Sequence, residues 1–316
     1  MSGLDLEFLG ESPEFRAVLR SAEIVAATEV TVLIRGESGT GKELLARALH
    51  AGSRRARGPF VTINCAALPD NLAESELFGH RKGAFTGAVA DHPGRIRAAA
   101  GGTLFLDEVG ELSPAIQAKL LRFLETGECQ PVGGTDCRRV DARLLAATHR
   151  DLYALVREGR FREDLYYRLN VVPLELPPLR ARSGDIPLLI DALTRQHAKL
   201  HGMQAPRYSR AALRLLEQYA WPGNVRELRN FCERMVILCS GMEIGPDNLP
   251  AEIRGGRAGT GACFELPHEG ISLEELEQAM LRQALERTHG NRSRAARLLG
   301  LSRDTFLYRL KKYAIG

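Results

Sequence analysis

The residues best suited to chemistry form a glycine-rich run that ends in a lysine, Gly36-Glu-Ser-Gly-Thr-Gly41-Lys42. Glycines let the backbone curl so that successive N–H groups face phosphate oxygens, and the lysine adds a positive charge. An apolar strand is predicted at residues 29–34 and a helix at residues 43–50. Because strand, loop and helix follow in the order that a phosphate-binding loop requires, the run predicts a nucleoside triphosphate site.

Two adjacent carboxylates, Asp107 and Glu108, end a predicted apolar strand at residues 101–108. Such acids at the carboxyl edge of a parallel sheet suit Mg²⁺ binding by the first and alignment of an attacking water by the second. Glu43 stands where the general pattern has Ser or Thr as a magnesium ligand, so the metal is expected to depend on Asp107, waters, phosphate oxygens or Thr40. ATP and Mg²⁺ are the expected cofactors.

Other polar side chains follow later predicted elements. A strand at residues 142–148 ends in Thr148 and His149, where a polar group could sense the γ-phosphate, although His149 is interpreted as an ordinary polar residue. Arg162 and Arg168 lie six residues apart in a helical segment, so they point in different directions. They are surface ion-pair partners in a single chain or, in a ring of subunits, groups that reach a neighbour's nucleotide.

The uncharged segment Gly83-Ala84-Phe85-Thr86-Gly87-Ala88 lies between the lysine and the carboxylates. Its two glycines, two alanines and one aromatic residue predict a flexible loop with an apolar tip. Hydrolysis of ATP alone gives no use for such a loop, so it is expected to contact another molecule.

A proline-rich stretch at residues 173–187 is interpreted as the end of the α/β pattern. Beyond it only helices are predicted, at residues 186–200, 209–219 and 224–239. Arg226 lies in the first turn of the last of these helices, where a cation opposes the helix dipole. A nearby anion would explain an arginine at this position. The alternative is an exposed arginine, whose unfavourable interaction with the helix dipole is small.

The end of the chain is predicted to be a helix-turn-helix that follows a flexible linker at residues 254–270. Ser272 opens a helix whose stripe of Leu273, Leu276, Met280 and Ala284 is either core or dimer seam, and Asn291 and Ser302 cap two shorter helices. A solvated cationic surface is the alternative to DNA binding for the polar residues of these last helices. The residues expected to meet bases or phosphates are Arg292, Arg294, Ser302, Arg303, Asp304, Thr305, Tyr308, Arg309, Lys311 and Lys312.

Length and composition bound the class of protein. The 316 residues suit two or three domains, and 44% hydrophobic with 26% charged residues is ordinary for a globular protein. Neither a membrane span nor a signal peptide is recognised, so a cytoplasmic protein without membrane insertion is expected. The six cysteines have no CxxC pair and no histidines at metal spacing, and are expected to be free and mostly buried.

With these motifs placed, the chain resembles the bacterial enhancer-binding activators of the sigma-54 RNA polymerase, a branch of the AAA+ ATPases, over roughly residues 9–314. The motifs that carry the resemblance lie at residues 36–43, 76–80, 83–88, 101–108, 161–168, 176–180 and 221–228. It implies an α/β fold, an AAA+ parallel-sheet ATPase core with an all-helical lid, plus a C-terminal Fis-type helix-turn-helix. The implied domains are an ATPase subdomain that contacts sigma-54 (1–178), the helical lid (179–253), the linker (254–270) and the DNA-binding domain (271–316).

The resemblance also implies a role for each matching residue. Asp107 and Glu108 would be the Walker B acids, Asn64 the switch asparagine that holds Glu108, and Arg162 and Arg168 arginine fingers that act on a neighbour. In this branch Glu commonly follows the Walker A lysine, and His149 replaces an Asn found in many AAA+ proteins. The segment 83–88 would contact sigma-54. The nucleotide-binding residues would be Gly36, Glu37, Ser38, Gly39, Thr40, Gly41, Lys42, Glu43, Thr148 at the sensor I position and Arg226 at sensor II.

The function implied is an ATP-driven activator that binds upstream enhancer DNA and remodels the closed sigma-54 RNA polymerase holoenzyme to open the promoter. It would act as a homo-hexamer formed from an inactive dimer. The absence of an N-terminal regulatory domain suggests a short form controlled in trans, by a regulatory protein or by expression level. One alternative is a DNA-binding regulator that uses nucleotide only to set its oligomeric state, and another is an AAA+ enzyme with a different substrate, which leaves the last 45 or so residues unexplained.

Overall fold

The computed structural model of the chain describes residues 9–67, 69–254, 273–288, 290–299, 301 and 303–313. These residues belong to two compact units, Met1–Arg254 and Gly255–Gly316. Residues 255–272, with Cys263 and the predicted cap Ser272, lie outside the described residues, as does the predicted cap Ser302. None of the described helices combines the length and the apolar composition that crossing a membrane requires.

Five parallel strands form the central sheet of the first unit, in the order β2-β3-β6-β1-β7. Because these strands run in the same direction, their carboxyl ends meet along one edge, where Arg35, Asn64, Asp107 and Thr148 are the last residues of β1, β2, β3 and β6. The strands are β1 (Val32–Arg35), β2 (Phe60–Asn64), β3 (Thr103–Asp107), β4 (Glu128–Cys129), β5 (Arg138–Arg139), β6 (Arg143–Thr148), β7 (Val172–Glu175), β8 (Arg207–Tyr208) and β9 (Glu243–Ile244).

Both faces of the sheet are covered, which explains why its strands are apolar without alternation. Successive residues of β1 point to opposite faces, so Leu33 packs in one core cluster and Ile34 in another. The helices of this unit are α1 (Pro13–Ala26), α2 (Lys42–Ala51), α3 (Asp70–Phe78), α4 (Arg95–Ala98), α5 (Pro114–Thr126), α6 (Leu152–Arg157), α7 (Glu163–Leu169), α8 (Ile186–His201), α9 (Arg210–Gln218) and α10 (Asn224–Leu238).

The strand β7 corrects the interpretation of residues 173–187 as the end of the α/β pattern. Pro173 lies inside β7, which pairs in parallel with β1 at the edge of the sheet. Proline has no N–H to donate, and an edge strand needs donors on one side only, so the residue is tolerated there. The prediction that only helices follow was also wrong, because β8 and β9 pair in parallel among the helices that come after β7.

The helical lid has a core of its own around Trp221. This side chain is fully buried, its Nε1 donates to the carbonyl oxygen of Leu216 at 2.8 Å, and its ring meets Phe231 of α10 edge to face with centroids 5.7 Å apart. Leu189 of α8 and Leu228 of α10 belong to the same cluster. A shared apolar core therefore holds the lid helices together.

The described residues of the second unit form three helices: α11 (Leu273–Arg287), α12 (Arg292–Leu298) and α13 (Arg303–Lys312). Their described core includes Leu281, Ala295, Phe306 and Leu310. Asn291 caps α12 by accepting a hydrogen bond from Arg294 N at 3.1 Å, which confirms the predicted cap. In the predicted stripe of α11, Ala284 is buried and Met280 is exposed, while the side chains of Leu273 and Leu276 lie outside the description.

The described cysteines agree with the expectation of free thiols. Cys65, Cys129 and Cys232 are buried, Cys239 is half-buried and Cys137 is exposed, and all five are free. Burial raises the pKa of Cys65 and of Cys232 to about 12, so these two thiols stay protonated at neutral pH.

The packing of the lid core gives the first prediction. Phe231→Ala removes a buried ring that packs on Trp221 and is expected to lower the free energy of unfolding of the lid by about 3 to 5 kcal/mol. Trp221 is the only tryptophan of the chain, so its fluorescence in a urea titration reports the transition. Leu238→Ala, at an exposed position of the same helix, is the control and should change the value by about 0.5 kcal/mol or less. Equal effects of the two substitutions would contradict the described core.

Candidate functional site

The phosphate loop, residues 36–42, connects β1 to the first turn of α2. Gly39 and Gly41 have φ angles of +80° and +104°, which L-residues with side chains rarely adopt. Lys42 is nearly buried, and its Nζ donates to the carbonyl oxygens of Gly36 at 2.9 Å and Glu37 at 3.3 Å. The loop thus holds its lysine at the amino end of a helix of 10 residues, an arrangement that favours a bound anion.

The two predicted acids lie beside this lysine. Lys42 Nζ is 3.4 Å from Glu108 Oε1, and Asp107 Oδ1 accepts a hydrogen bond from Glu108 N at 3.1 Å. Glu108 has left-handed backbone angles, φ 55° and ψ 48°, a strained conformation that is common at functional sites. Burial, together with the neighbouring charge of Glu108, raises the pKa of Asp107.

His149 rather than Thr148 reaches the second acid. Glu108 Oε2 accepts hydrogen bonds from His149 Nδ1 at 2.7 Å and from its backbone N at 3.2 Å. Burial opposes ionisation of Glu108, but these hydrogen bonds and the charge of Lys42 outweigh it, so the pKa of Glu108 lies below its usual value. Thr148 is fully buried and its hydroxyl accepts from Arg150 N, which leaves its predicted sensing role a prediction.

The contact predicted between Asn64 and Glu108 is not formed in this structure. The two residues end up close in the fold, because Asn64 pairs in register with Asp107 on adjacent strands. The Asn64 side chain, however, accepts a hydrogen bond from Ala66 N at 2.9 Å. The carboxylate of Glu108 is held by His149 and Lys42 instead.

The lid contributes polar groups to the phosphate loop. Arg180 forms a bidentate pair with Glu37, with distances of 2.7 and 2.5 Å. Asn224, fully buried at the start of α10, donates to Glu37 Oε2 at 3.1 Å and to Ser38 O at 3.0 Å, and it accepts from Leu179 N at 2.7 Å. The hydrogen bonds from Arg180 and Asn224 lower the pKa of Glu37 to about 2, so this carboxylate stays ionised.

Backbone packing brings the same two parts together. A Cβ on Gly39 would lie 2.3 Å from the carbonyl oxygen of Gly223, so only glycine fits at this contact. Arg226 N lies 3.3 Å from Gly39 O, and Arg226 Nη1 donates to Ser38 Oγ at 2.9 Å. The structure therefore places Arg226 beside the phosphate loop, with its side chain exposed to solvent.

Arg162, Arg168 and Glu43 make their contacts outside this cluster, whereas Thr40 lies within the phosphate loop. Arg162 pairs with Asp164 at 2.7 Å on the surface, and Arg168 donates to Leu124 O at 2.9 Å. Glu43 pairs with Arg47 at 2.8 Å on an exposed face of α2. Thr40 is buried in the phosphate loop, and its hydroxyl donates to the carbonyl oxygen of Glu37 at 2.9 Å.

The apolar loop, residues 83–88, is closed by hydrogen bonds. Gly83 N donates to Ala88 O at 2.9 Å, and Ala88 N donates to Phe85 O at 3.0 Å. The Phe85 ring is 37% exposed and meets His80 edge to face with centroids 5.0 Å apart. At the base of the loop, Arg81 forms ion pairs with Asp91, at 2.6 Å, and with Asp136.

The second unit exposes part of the surface predicted to meet DNA. Arg292, Arg294, Arg303, Thr305, Tyr308 and Lys311 are exposed. Two cations of the predicted face are paired with acids of α11, since Arg309 lies 2.5 Å from Glu277 and Lys312 lies 3.5 Å from Glu274. Ser302 and the side chain of Asp304 lie outside the described residues.

Sequence reasoning missed Asn224 and Arg180 as site residues. Both lie within motifs that carry the family resemblance, at residues 221–228 and 176–180, so their position was available as a signal. Their contacts with Glu37 could not be predicted from the sequence, because Glu37 lies 143 residues before Arg180 and 187 before Asn224. Interpreting His149 as an ordinary strand-end residue likewise overlooked its contact with Glu108.

Comparison with known proteins identifies the family. Residues 8–175 match the Sigma-54 interaction domain, residues 180–263 the AAA+ ATPase lid domain, and residues 272–313 the Fis family of bacterial regulatory proteins. The first match alone covers more than half of the chain.

Relatives and solved structures agree with this assignment. The chain is 50% identical to the transcriptional regulatory protein ZraR of Klebsiella oxytoca over 307 residues, 96% of this chain and 68% of that protein. It is 47% identical to the response regulator protein PilR of Pseudomonas aeruginosa over 314 residues, 99% of this chain and 71% of that protein. Crystal structures of NtrX from Brucella abortus, in complex with ADP and with ATP, match with a TM-score of 0.73 and 37% identity, covering 98% and 97% of this chain and 69% of theirs. The chain therefore belongs to the sigma-54-dependent transcriptional activators, with an AAA+ core of parallel strands, a helical lid and a Fis-type helix-turn-helix.

Proposed function

We propose that the protein hydrolyses ATP and uses the energy to remodel the closed sigma-54 RNA polymerase holoenzyme, so that the promoter opens. The observation that carries the proposal is the convergence of Lys42, Glu108 and Arg226 on one edge of the sheet, in a chain that also exposes Phe85 in an uncharged loop. Matches to ATP-binding relatives support the first part, because NtrX was solved with ATP and with ADP. The match to the Sigma-54 interaction domain supports the second part.

In this proposal ATP binds with its phosphates over the phosphate loop. The carbonyl oxygens of Gly36 and Glu37 now satisfy Lys42 Nζ, and phosphate oxygens would replace them with a stronger, charged partner. Ser38 and Arg226 would contact the phosphates from the lid side. The remaining nucleotide contacts are assigned to the backbone of Glu37, Gly39, Thr40 and Gly41, to Glu43 and to Thr148, as the resemblance implies.

The oxygens near the phosphate loop suit magnesium. Lys42 pairs with Glu108 and not with Asp107, so the Asp107 carboxylate at the end of β3 is available to a metal ion. The Thr40 hydroxyl, in the phosphate loop, is a second oxygen nearby. Mg²⁺ prefers such oxygen ligands and keeps several waters. When bound, it would neutralise charge on the β- and γ-phosphates.

Glu108 is the residue proposed to align the attacking water. Its lowered pKa keeps it ionised, so that it can accept a hydrogen bond from that water. His149 and Lys42 hold the carboxylate in the present arrangement, and a γ-phosphate that draws Lys42 away would free one of its oxygens. Asn64, at the end of the adjacent strand, would then be close enough to hold the acid in another nucleotide state.

The position of Arg168 supports a ring in which the arginine fingers act on a neighbouring subunit. Arg168 lines a cleft with Glu29, Asp141 and Val171, and the last three residues precede β1, β6 and β7. The cleft therefore lies at the amino edge of the sheet, opposite the phosphate loop, and Arg168 is out of reach of its own nucleotide. Each nucleotide would instead be met by Arg162 and Arg168 of the neighbouring subunit. The proposed assembly is a homo-hexamer that forms from an inactive dimer.

The remaining partners are proposed for the apolar loop and for the second unit. The apolar loop would contact sigma-54 through Gly83, Ala84, Phe85, Thr86, Gly87 and Ala88, and the second unit would bind upstream enhancer DNA through the exposed residues of α12 and α13. DNA and RNA polymerase are cytoplasmic in bacteria, so the protein would work there, under control of a trans-acting protein or of its own expression. The working domains would be residues 1–178, 179–253 and 271–316, with a linker at 254–270.

Glu108→Gln tests the hydrolytic role. The amide keeps the size of the side chain but accepts a hydrogen bond from water less strongly, so ATP hydrolysis should fall about 100-fold or more. Affinity for ATP should stay within about threefold of the wild type, because the lysine and the loop remain. Phosphate release and fluorescent-nucleotide titration measure the two quantities. Glu111→Gln, which alters an acid paired with Arg150 at 2.7 Å, is the control, and a Glu108→Gln protein that hydrolyses ATP at the control's rate would refute the role.

Phe85→Ala tests the coupling role of the apolar loop. It removes the half-exposed ring but touches none of the nucleotide-site residues, so ATPase activity should persist while promoter opening falls at least about tenfold. Open-complex formation with purified sigma-54 holoenzyme and ATP is the measurement. Val89→Ala, just beyond the loop and exposed, should open promoters like the wild type. Normal opening by Phe85→Ala, with unaltered ATPase, would show that the loop is not the coupling element.

Asn224→Ala tests the contact between lid and phosphate loop. The substitution removes the hydrogen bonds of Asn224 to Leu179 N and to the phosphate loop, and each buried group left unpaired costs about 1–3 kcal/mol. A loop that is held less firmly should bind ATP about tenfold more weakly. Asn230→Ala, on an exposed face of the same helix, is the matched control and should bind ATP normally. Isothermal titration with ATP and Mg²⁺ measures both, and equal affinities would contradict a role of the lid in binding.

A further inference from the structure

Two histidines and a glutamate meet on the lid, away from the phosphate loop. His197 and His201 lie one turn apart on α8, with their rings stacked at a centroid distance of 6.3 Å. Glu233 of α10 faces them, with Oε1 3.0 Å from His201 Nε2 and 3.8 Å from His197 Nδ1. One ligand atom from each of the three residues lies within 4.8 Å of the other two. The cluster joins the two longest helices of the lid.

The buried histidine is the feature that needs an explanation. The His197 side chain is 8% exposed, and neither ring nitrogen has a hydrogen-bond partner in the part of the chain that the structure describes. Buried polar groups normally have hydrogen-bond partners, and a buried polar group without one destabilises the fold. A packing role alone would be served by an apolar side chain of similar size. His197 is therefore placed where a further partner would stabilise it.

The donor set and its spacing suit a transition metal. Two imidazole nitrogens and one carboxylate oxygen are a zinc ligand set, in which water takes the fourth tetrahedral position. Zinc bonds of about 2.0–2.2 Å put tetrahedral ligand atoms roughly 3.3 Å apart, close to the 3.0 and 3.8 Å seen here. The ions Mg²⁺ and Ca²⁺ prefer oxygen ligands, so the two imidazoles disfavour them.

A simple ion pair explains the cluster less well. If His201 alone were charged, it would satisfy Glu233 at 3.0 Å, but His197 would keep two unpaired nitrogens. If His197 were charged, its Nδ1 would still be 3.8 Å from the carboxylate, beyond hydrogen-bond distance. A metal ion satisfies one nitrogen of each ring and the carboxylate at the same time.

We propose that His197, His201 and Glu233 bind one zinc ion, which fastens α8 to α10. The site lies on the helix that begins at Asn224, the residue that reaches the phosphate loop. Glu233 follows Arg226 by seven residues, or two helical turns, so the ion lies on the same side of α10 as that arginine. Zinc would thus hold the lid helices in the arrangement that presents Asn224 and Arg226 to the nucleotide.

The test is zinc binding by the full chain. Metal is first removed with a chelator, and ZnCl2 is then titrated calorimetrically in excess Mg²⁺. The wild type should bind one equivalent, whereas His201→Ala and Glu233→Gln should each bind more than about 100-fold more weakly, since loss of an outer partner of a zinc ligand already costs ~10–100-fold. Zinc at 100 times its Kd should raise the wild-type Tm by about 5 to 10 °C and leave the Tm of Glu233→Gln unchanged.

Two controls separate this site from other donors. Asp191→Asn changes an exposed acid of α8 that pairs with Arg195, and Cys137→Ser removes the exposed thiol, so both should bind zinc like the wild type. Circular dichroism in chelator checks that each variant is folded. Absence of stoichiometric binding by the wild type would overturn the proposal, as would binding that survives in folded His201→Ala and Glu233→Gln or disappears in Cys137→Ser.

Discussion

The contact between the phosphate loop and the turn that begins α10 is the constraint on which the nucleotide site depends. Gly39 and Gly223 approach so closely that a single added carbon would collide, and Asn224 joins the loop to the lid with buried hydrogen bonds. The charged pair of Glu37 and Arg180 reinforces the junction from the solvent side. Because packed surfaces of this kind do not deform continuously, a displacement of the loop would be transmitted to the start of α10.

The strand order of the sheet brings the other half of the site to the same place. Since β6 lies between β1 and β3, the residues that follow it fall between the phosphate loop and the two acids. This is why the Glu108 carboxylate is met by His149, which follows β6, and by Lys42, which begins α2 after the phosphate loop. The apolar loop lies on the chain between Asn64 and Asp107, and Arg81 fastens its base to two aspartates. A rearrangement at the ends of β2 and β3 therefore has a direct covalent route to Phe85.

The parts of the fold with local signals were predictable from the sequence. The phosphate loop, the acidic end of β3 and the Asn291 cap each depend on neighbouring residues, so the sequence alone predicts them. The strand β7 was missed because Pro173 argues against a strand, and only its edge position in the sheet makes the proline acceptable. The contact of His149 with Glu108 and the gathering of His197 and His201 around Glu233 were missed as well. Both contacts join residues at least 32 positions apart, and two histidines one helical turn apart are no metal signal until the fold brings Glu233 to them.

If ATP hydrolysis drives the remodelling of the sigma-54 holoenzyme, as we propose, the state of the nucleotide should decide whether the apolar loop holds sigma-54. This dependence is tested most directly by capture of purified sigma-54 on the immobilised protein, with no nucleotide, with ADP, and with ADP plus aluminium fluoride, which imitates the phosphoryl group in transfer. The account predicts retention of sigma-54 in the aluminium fluoride state at a level at least about tenfold above the other two, a difference of ~1.4 kcal/mol in binding. Equal retention in all three states, or none in any of them, would contradict it.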